Sequence, residues 1–243
     1  MINTVLFDLD GTLLQFSQDE FIGVYFAELK KVFTRIGLDA EAAAKAVWLG
    51  TKAMVLNDGS KPNSKAFWNT FSRAMNLSGN VLKDVEAVCD LFYSNEFDSV
   101  KSVLKNADTG QPGRIIRNLT FKGYTAALAT NPVFPAEAVK TRLAWIGLRT
   151  RDFKLITDYS NSFYCKPNPK YYGEILTALG REPEQCLMVG NNVNEDMCAG
   201  ALGMETYLVT GHIINEAGWD ISGYRRGSMD DLEKYLSDLP QIS

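Results

Sequence analysis

From residue 111 onward the chain alternates helix-like and strand-like runs, and this alternation restricts the fold more than any other feature of the sequence. Helical patterns at 114–122, 135–146, 169–179 and 195–202 are separated by short apolar runs ending at Ala129, near 153–156 and at Val189. Strands recurring at this interval, each followed by a helix, are too far apart to pair as tight hairpins. They predict an α/β fold with a doubly wound parallel sheet, helices on both faces and right-handed crossovers. A last helix is expected over 229–236, with Ser228 as N-cap and Asp231 three residues on in a capping-box arrangement.

Residues 15–107 carry helical sequence only. Phe21, Val24, Tyr25, Leu29, Val32, Phe33 and Ile36 mark one helix face, and Val81, Leu82, Val85, Val88, Cys89 and Phe92 mark another. The alanine-rich stretch 40–53 predicts a further helix. The chain therefore divides into an α/β core, 1–14 and 108–243, and an inserted helical unit, 15–107. Within the insertion, 57–63 (Asn-Asp-Gly-Ser-Lys-Pro-Asn) is turn-forming, either a loop facing a ligand or a connection between helices. Trp48, Met54, Phe67, Trp68, Phe71 and Met75 fall at helical spacing, and core packing accounts for them.

The chemistry begins where Thr4, Val5, Leu6 and Phe7 run into Asp8-Leu9-Asp10-Gly11-Thr12-Leu13. In extended chain, residues two apart share a face, so Asp8 and Asp10 lie on one side while Leu9 points elsewhere. Gly11 then permits a sharp turn. Such close like charges suggest a divalent metal between them or two carboxyls with divided roles, the alternative being an acid pair in a loop after an edge strand. Three later apolar runs also end in polar residues: 126–129 leads to Thr130 and Asn131, 153–156 precedes Lys166 and Pro167, and 186–189 leads to Gly190, Asn191, Asn192 and Asp196. Loops at the carboxyl ends of parallel strands form the ligand crevice, which would bring the four together.

This ordered set resembles the haloacid dehalogenase superfamily, whose phosphatase members carry Asp-x-Asp-Gly-Thr, a Ser or Thr ending a strand, a Lys, and a Gly-Asp-type acidic motif. The resemblance implies a Rossmann-like core, with the helical insertion as a type-one cap that closes over the site, excludes water and selects the substrate. It implies Asp8 as nucleophile and Asp10 as the acid that protonates the leaving alcohol and then takes a proton from water. Gly11, Thr12, Thr130 and Asn131 would hold the phosphoryl group, and Lys166 would stabilise Asp8 and the phosphate charge. Mg²⁺ would be held by Asp8, the backbone carbonyl of Asp10, Asn191 or Asn192, and Asp196. The fourth motif departs from the family pattern, because two asparagines occupy the candidate positions of its first acid. An amide oxygen can ligate a hard cation but adds no charge, so Mg²⁺ should bind more weakly. Asn192, four residues before Asp196, is favoured slightly over Asn191, five before it.

The expected function is Mg²⁺-dependent hydrolysis of a small-molecule phosphate monoester through an aspartyl-phosphate. A 2-haloacid dehalogenase uses the same nucleophile without metal, but Asp10 argues against it. A phosphomutase is a variant of the first reading, and a phosphate-ligand binding protein with a weakened site is favoured by the Asn pair and disfavoured by the intact Asp8, Asp10, Thr130 and Lys166.

With 243 residues, 46% of them hydrophobic, the chain can bury a sizeable core. A net charge of −4 argues against a nucleic-acid partner, which wants a basic face. No Lys/Arg run suggests a membrane surface. No apolar stretch approaches the ~20 residues of a membrane span, and the N-terminal sequence lacks a leader pattern, so a cytoplasmic location is expected. The insertion is charge-balanced, with 11 Lys/Arg and 11 Asp/Glu, and gives no reason to expect a polyanionic polymer. The sequence does not specify an oligomeric state. Cys89, Cys165, Cys186 and Cys198 lack zinc or redox spacing and are expected to be reduced and mostly buried. Cys165 beside Lys166 leaves open a cation-favoured thiolate, with a spectator thiol the stronger reading. His212, the only histidine, is expected in a loop.

Overall fold

The computed structural model describes residues 1–105 and 108–242. The boundary drawn at residue 107 and the terminal Ser243 lie outside the described residues. Strand β1 (Thr4–Phe7) is followed by four helices, α1 (Gln18–Arg35), α2 (Ala40–Val55), α3 (Asn63–Met75) and α4 (Gly79–Leu91), and then by irregular helical turns to Val103. The chain resumes with α5 (Gln111–Phe121), β2 (Thr125–Leu128), α6 (Ala136–Trp145), α7 (Pro169–Leu179), β3 (Cys186–Gly190), β4 (Glu205–Val209), β5 (Arg225–Gly227) and α8 (Met229–Asp238).

Among the described residues the five strands form one parallel sheet in the order β2-β1-β3-β4-β5. Side-chain alternation decides which apolar residue covers which face. Val5 and Phe7 join Ala126, Leu128, Leu187 and Val189 under α5, α6 and α8, while Leu6 joins Ala127 and Met188 under α7. The sheet is thus buried on both sides, as a parallel sheet requires. The order runs outward in both directions from β1, so the switch point lies between β1 and β3, and the carboxyl ends there open one crevice.

The helical run between β1 and α5 buries Phe21, Tyr25, Leu29, Val32 and Phe33 of α1, along the face read from the sequence. Asp39 caps α2 through the amides of Glu41 and Ala42, and Ser228 forms the expected capping box with Asp231. The segment 57–63 is a connection docked on the sheet side. Asn63 donates its backbone amide to the Ser162 carbonyl at 2.9 Å, and its side-chain amide lies 3.3 Å from the carbonyls of Pro132 and Tyr164.

Three expectations change. The helix expected over 195–202 is a 3-10 segment, Met197–Leu202, because Gly200 is a poor helix former and Gly203, at φ +100°, ends it in the left-handed region. The strand expected near 153–156 shrinks to one bridge between Ile156 and Leu128 at the sheet edge. Val81 of α4 is exposed rather than part of its buried face, which Val85 and Cys89 supply. Among the described residues no helix is long and apolar enough to cross a membrane.

Candidate active site

Three adjacent strands deliver the polar residues. Thr130 follows β2, Asp8 follows β1 and Asn191 follows β3, so they stand in a row along the carboxyl edge of the sheet. The Asp8 amide still donates to the Val189 carbonyl at 2.9 Å, which extends the sheet pairing through the acid itself. Gly11 has φ +78°, and a Cβ there would lie 2.3 Å from Nδ2 of Asn191. Gly190 is needed for contact instead: a Cβ on it would fall 2.1 Å from the Asp196 carboxylate. Gly11→Ala combines backbone strain with this overlap, and should cost about 1–3 kcal/mol of stability, read as a lowered thermal midpoint. An unchanged midpoint would show that the turn relaxes without the glycine.

Lys166 organises the acids. Its ammonium is fully buried and lies 2.9 Å from Oδ1 of Asp8 and 2.6 Å from Oδ1 of Asp196. Burial alone would lower the lysine, but Asp196 and Asp8 outweigh it and hold the ammonium well above its usual range. Burial pushes the Asp196 carboxyl up, with Lys166 opposing. Oδ2 of Asp196 also accepts the Asn192 amide at 2.9 Å, fixing the loop after β3. The Thr12 hydroxyl lies 3.2 Å from Oδ2 of Asp8 and 3.0 Å from Oδ1 of Asn191. It carries one proton and can donate to only one of them at a time.

The two asparagines differ. Asn191 turns its amide oxygen toward the Thr12 hydroxyl, and its nitrogen donates to the His212 carbonyl at 2.6 Å. Asn192 spends its side-chain oxygen on the amides of Asn194 and Glu195, at 3.0 and 3.1 Å, as a turn former. Both asparagines line the cavity, and it is Asn191, not the Asn192 that spacing prefers, whose side chain shares the Thr12 hydroxyl with Asp8. His212 lies in the turn after β4 and contributes its backbone.

Asp8, Asp10, Thr130, Asn131, Asn191, Asn192 and Asp196 line one cavity of about 190 Å³ between the sheet edge and α1–α4. Gly11, Thr12 and Lys166 are not part of this lining, although Thr12 and Lys166 contact the Asp8 carboxylate. The Thr130 carbonyl is fixed by the hydroxyls of Thr157 (2.7 Å) and Tyr171 (2.8 Å). Asn131 donates to Glu195 at 3.0 Å.

The sequence reading missed three features. Arg142 of α6 is fully buried, pairs with Oδ2 of Asp10, and lies 4.4 Å above the Phe134 ring. Burial pushes the Asp10 carboxyl up, Arg142 pulls it back, and the Asp8 charge adds to the rise. Oδ1 of Asp10 and Nη2 of Arg142 are buried without partners among the described residues. Glu195 also faces the cavity, where burial pushes its carboxyl up to about 7. Finally, Trp48, Phe67, Trp68 and Phe71, read as core packing, line the cavity. A helical stripe of aromatics looks the same in sequence whether it meets protein or open space. The four cysteines are free, and burial pushes the Cys165 thiol up to about 12, so the thiolate that Lys166 could favour does not form at ordinary pH.

Among the described residues no three His, Cys, Asp or Glu side chains converge as a metal cage. The donor chemistry still suits Mg²⁺, which takes hard oxygens, keeps several waters, and commonly uses only one or two carboxylates plus substrate phosphate. Oδ2 of Asp8 and Oδ1 of Asn191, both beside Thr12, are such oxygens.

A family model described as haloacid dehalogenase-like hydrolase matches residues 2–203. No curated protein matches the sequence. Among solved structures, a HAD phosphatase from Thermococcus onnurineus is 18% identical over 99% of this chain and 100% of its own, with TM-score 0.59. A 2-haloacid dehalogenase from Pseudomonas syringae is 18% identical over 98% and 99%, with TM-score 0.63. A β-phosphoglucomutase from Clostridium difficile is 13% identical over 98% and 96%, with TM-score 0.58. At these identities the likeness establishes the fold, and one fold here carries three chemistries.

Proposed function

The chain belongs to the haloacid dehalogenase-like hydrolases, and we propose that within them it hydrolyses a small-molecule phosphate monoester with Asp8 as nucleophile. The observation that carries this reading is the pair of carboxyls on the cavity wall: Asp8 held by Lys166 at 2.9 Å, and Asp10 beside it with a carboxyl that burial pushes up. The helices α1–α4 would act as the cap, since they form the opposite wall of the same cavity.

The steps follow from the side chains. Asp10 is paired with Arg142 as a carboxylate in the resting site and takes up a proton from solvent as substrate binds. Asp8 then attacks phosphorus in line, the bond from phosphorus to the ester oxygen breaks, and Asp10 gives that proton to the ester oxygen. Water then opens the aspartyl-phosphate and returns a proton to Asp10. Lys166 holds Asp8 in position, and Thr130 and Asn131 face the phosphoryl group. Mg²⁺ would be held by Asp8, the Asp10 carbonyl, Asn191 and, behind them, Asp196; when bound it offsets charge on the phosphoryl oxygens.

Release of inorganic phosphate from para-nitrophenyl phosphate with Mg²⁺ tests the reading, and no release from this or any alkyl phosphate would end it. A second reading, 2-haloacid dehalogenase, draws on the Arg142 contact that engages Asp10 and on the neutral Asn191. Against it, no Lys, Arg or His side chain lines the cavity among the described residues, so a haloacid carboxylate finds no cation there. Chloride release from chloroacetate without metal would reverse this judgement.

Asn191→Asp should tighten Mg²⁺, measured both by calorimetric titration and as a lower Mg²⁺ concentration for half-maximal activity, because ligand charge tunes such sites. The variant gives up the donor to His212, at about 1 kcal/mol of stability. Asn192→Asp keeps its turn bonds and should leave Mg²⁺ affinity unchanged. The opposite ranking would place Asn192 at the metal.

A further inference from the structure

Away from the acids at the sheet edge, the cavity wall is mainly aromatic and aliphatic; of its polar members, Gln18 and Asp90 are exposed and Thr51 donates its hydroxyl to the Val47 carbonyl of its own helix. Phe26 stacks on Trp48 at 5.1 Å, and Trp68 meets Phe67 and Phe71 edge-on at 5.1 and 5.4 Å. The hydroxyls of Tyr25 and Tyr93, which also belong to the wall, are 2.6 Å apart, so one donates to the other and a single hydroxyl proton is left between them. Few donors are therefore left for the hydroxyls of a sugar. The same wall holds no cation among the described residues, so a second phosphate or a carboxylate on the substrate would be buried without a partner. The volume sets a ceiling: about 190 Å³ is little more than a ~150 Å³ apolar cavity that accepts benzene.

We infer that the substrate is the phosphate monoester of a compact, largely apolar alcohol or phenol that carries no second anionic group, with a body of about one ring, seated between α1–α3 and the sheet edge. This rests on the phosphatase reading above and narrows it. A sugar phosphate or bisphosphate would leave buried polar groups unpaired, and discrimination of that kind is steep, whereas the apolar body replaces water against rings at no such cost.

The test compares cyclohexyl phosphate with glucose 6-phosphate, two ring-sized esters with alkyl leaving groups, so polarity rather than leaving-group acidity is varied. Phosphate release with Mg²⁺ should favour cyclohexyl phosphate by about 100-fold or more in kcat/KM. Binding is followed separately by the fluorescence of Trp48 and Trp68, which should respond to cyclohexyl phosphate and not to glucose 6-phosphate. In Trp68→Ala, cyclohexyl phosphate should lose about tenfold or more in kcat/KM through a raised KM, with little change in kcat. Equal or faster turnover of glucose 6-phosphate overturns the inference, as does equal binding. Selective binding of cyclohexyl phosphate without phosphate release upholds it and counts against the phosphatase reading instead.

Discussion

Asp8→Asn is expected to lower phosphate release by at least about 10⁴-fold, the range for removing the nucleophile from the proposed covalent mechanism. The fold survives the change. The amide has the shape of the carboxylate, its oxygen can still face Lys166, and its nitrogen can donate to the Thr12 hydroxyl that approached Oδ2. Lys166 also keeps Asp196 at 2.6 Å, so the buried ammonium is not orphaned. Thermal denaturation should therefore move by less than about 5 °C, a shift of order 1 kcal/mol. A variant that retains a tenth or more of the wild-type rate, in a preparation free of other phosphatases, removes Asp8 from the chemistry.

How far the sequence anticipates this site depends on the range over which each residue acts. Asp8, Asp10 and Gly11 are legible because strand alternation and a tight turn are local rules, obeyed within a few residues. The parallel sheet is legible because helical and strand periodicities differ and recur at crossover spacing. The choice between Asn191 and Asn192 is not, because neighbours in a loop point in different directions and only the hydrogen bonds to Thr12 and His212 say which one faces Asp8. Spacing to Asp196 is a weak guide there, since the loop makes its own turn through Asn192. The cavity is illegible for another reason: Phe67, Trp68 and Phe71 obey the same helical period whether they fill a core or surround a space.

Arg142 is the clearest case of a residue hidden by distance. In the sequence Ala-Glu-Ala-Val-Lys-Thr-Arg-Leu-Ala-Trp it reads as one charge on a solvated helix face, yet it lies fully buried against a carboxyl 132 positions earlier. Removing one partner of a buried ion pair costs about 3–5 kcal/mol, because the other charge is left without compensation. Arg142→Met should lose about that much, with Phe134 and Phe21 also losing the guanidinium that packs near their rings. Arg142→Met combined with Asp10→Asn should lose less than the sum of the single changes, by about 0.5–3 kcal/mol of coupling. Activity separates positioning from mere stability. If Arg142 holds Asp10 toward the leaving oxygen, Arg142→Met slows alkyl phosphates more than para-nitrophenyl phosphate, whose leaving group needs little protonation. Arg142→Lys, which keeps the charge without the planar fork, should recover part of that loss. A denaturation loss below about 1 kcal/mol would mean that no ion pair is broken, so Asp10 holds its proton beside the guanidinium. Equal slowing of both ester classes would leave Arg142 a structural residue alone.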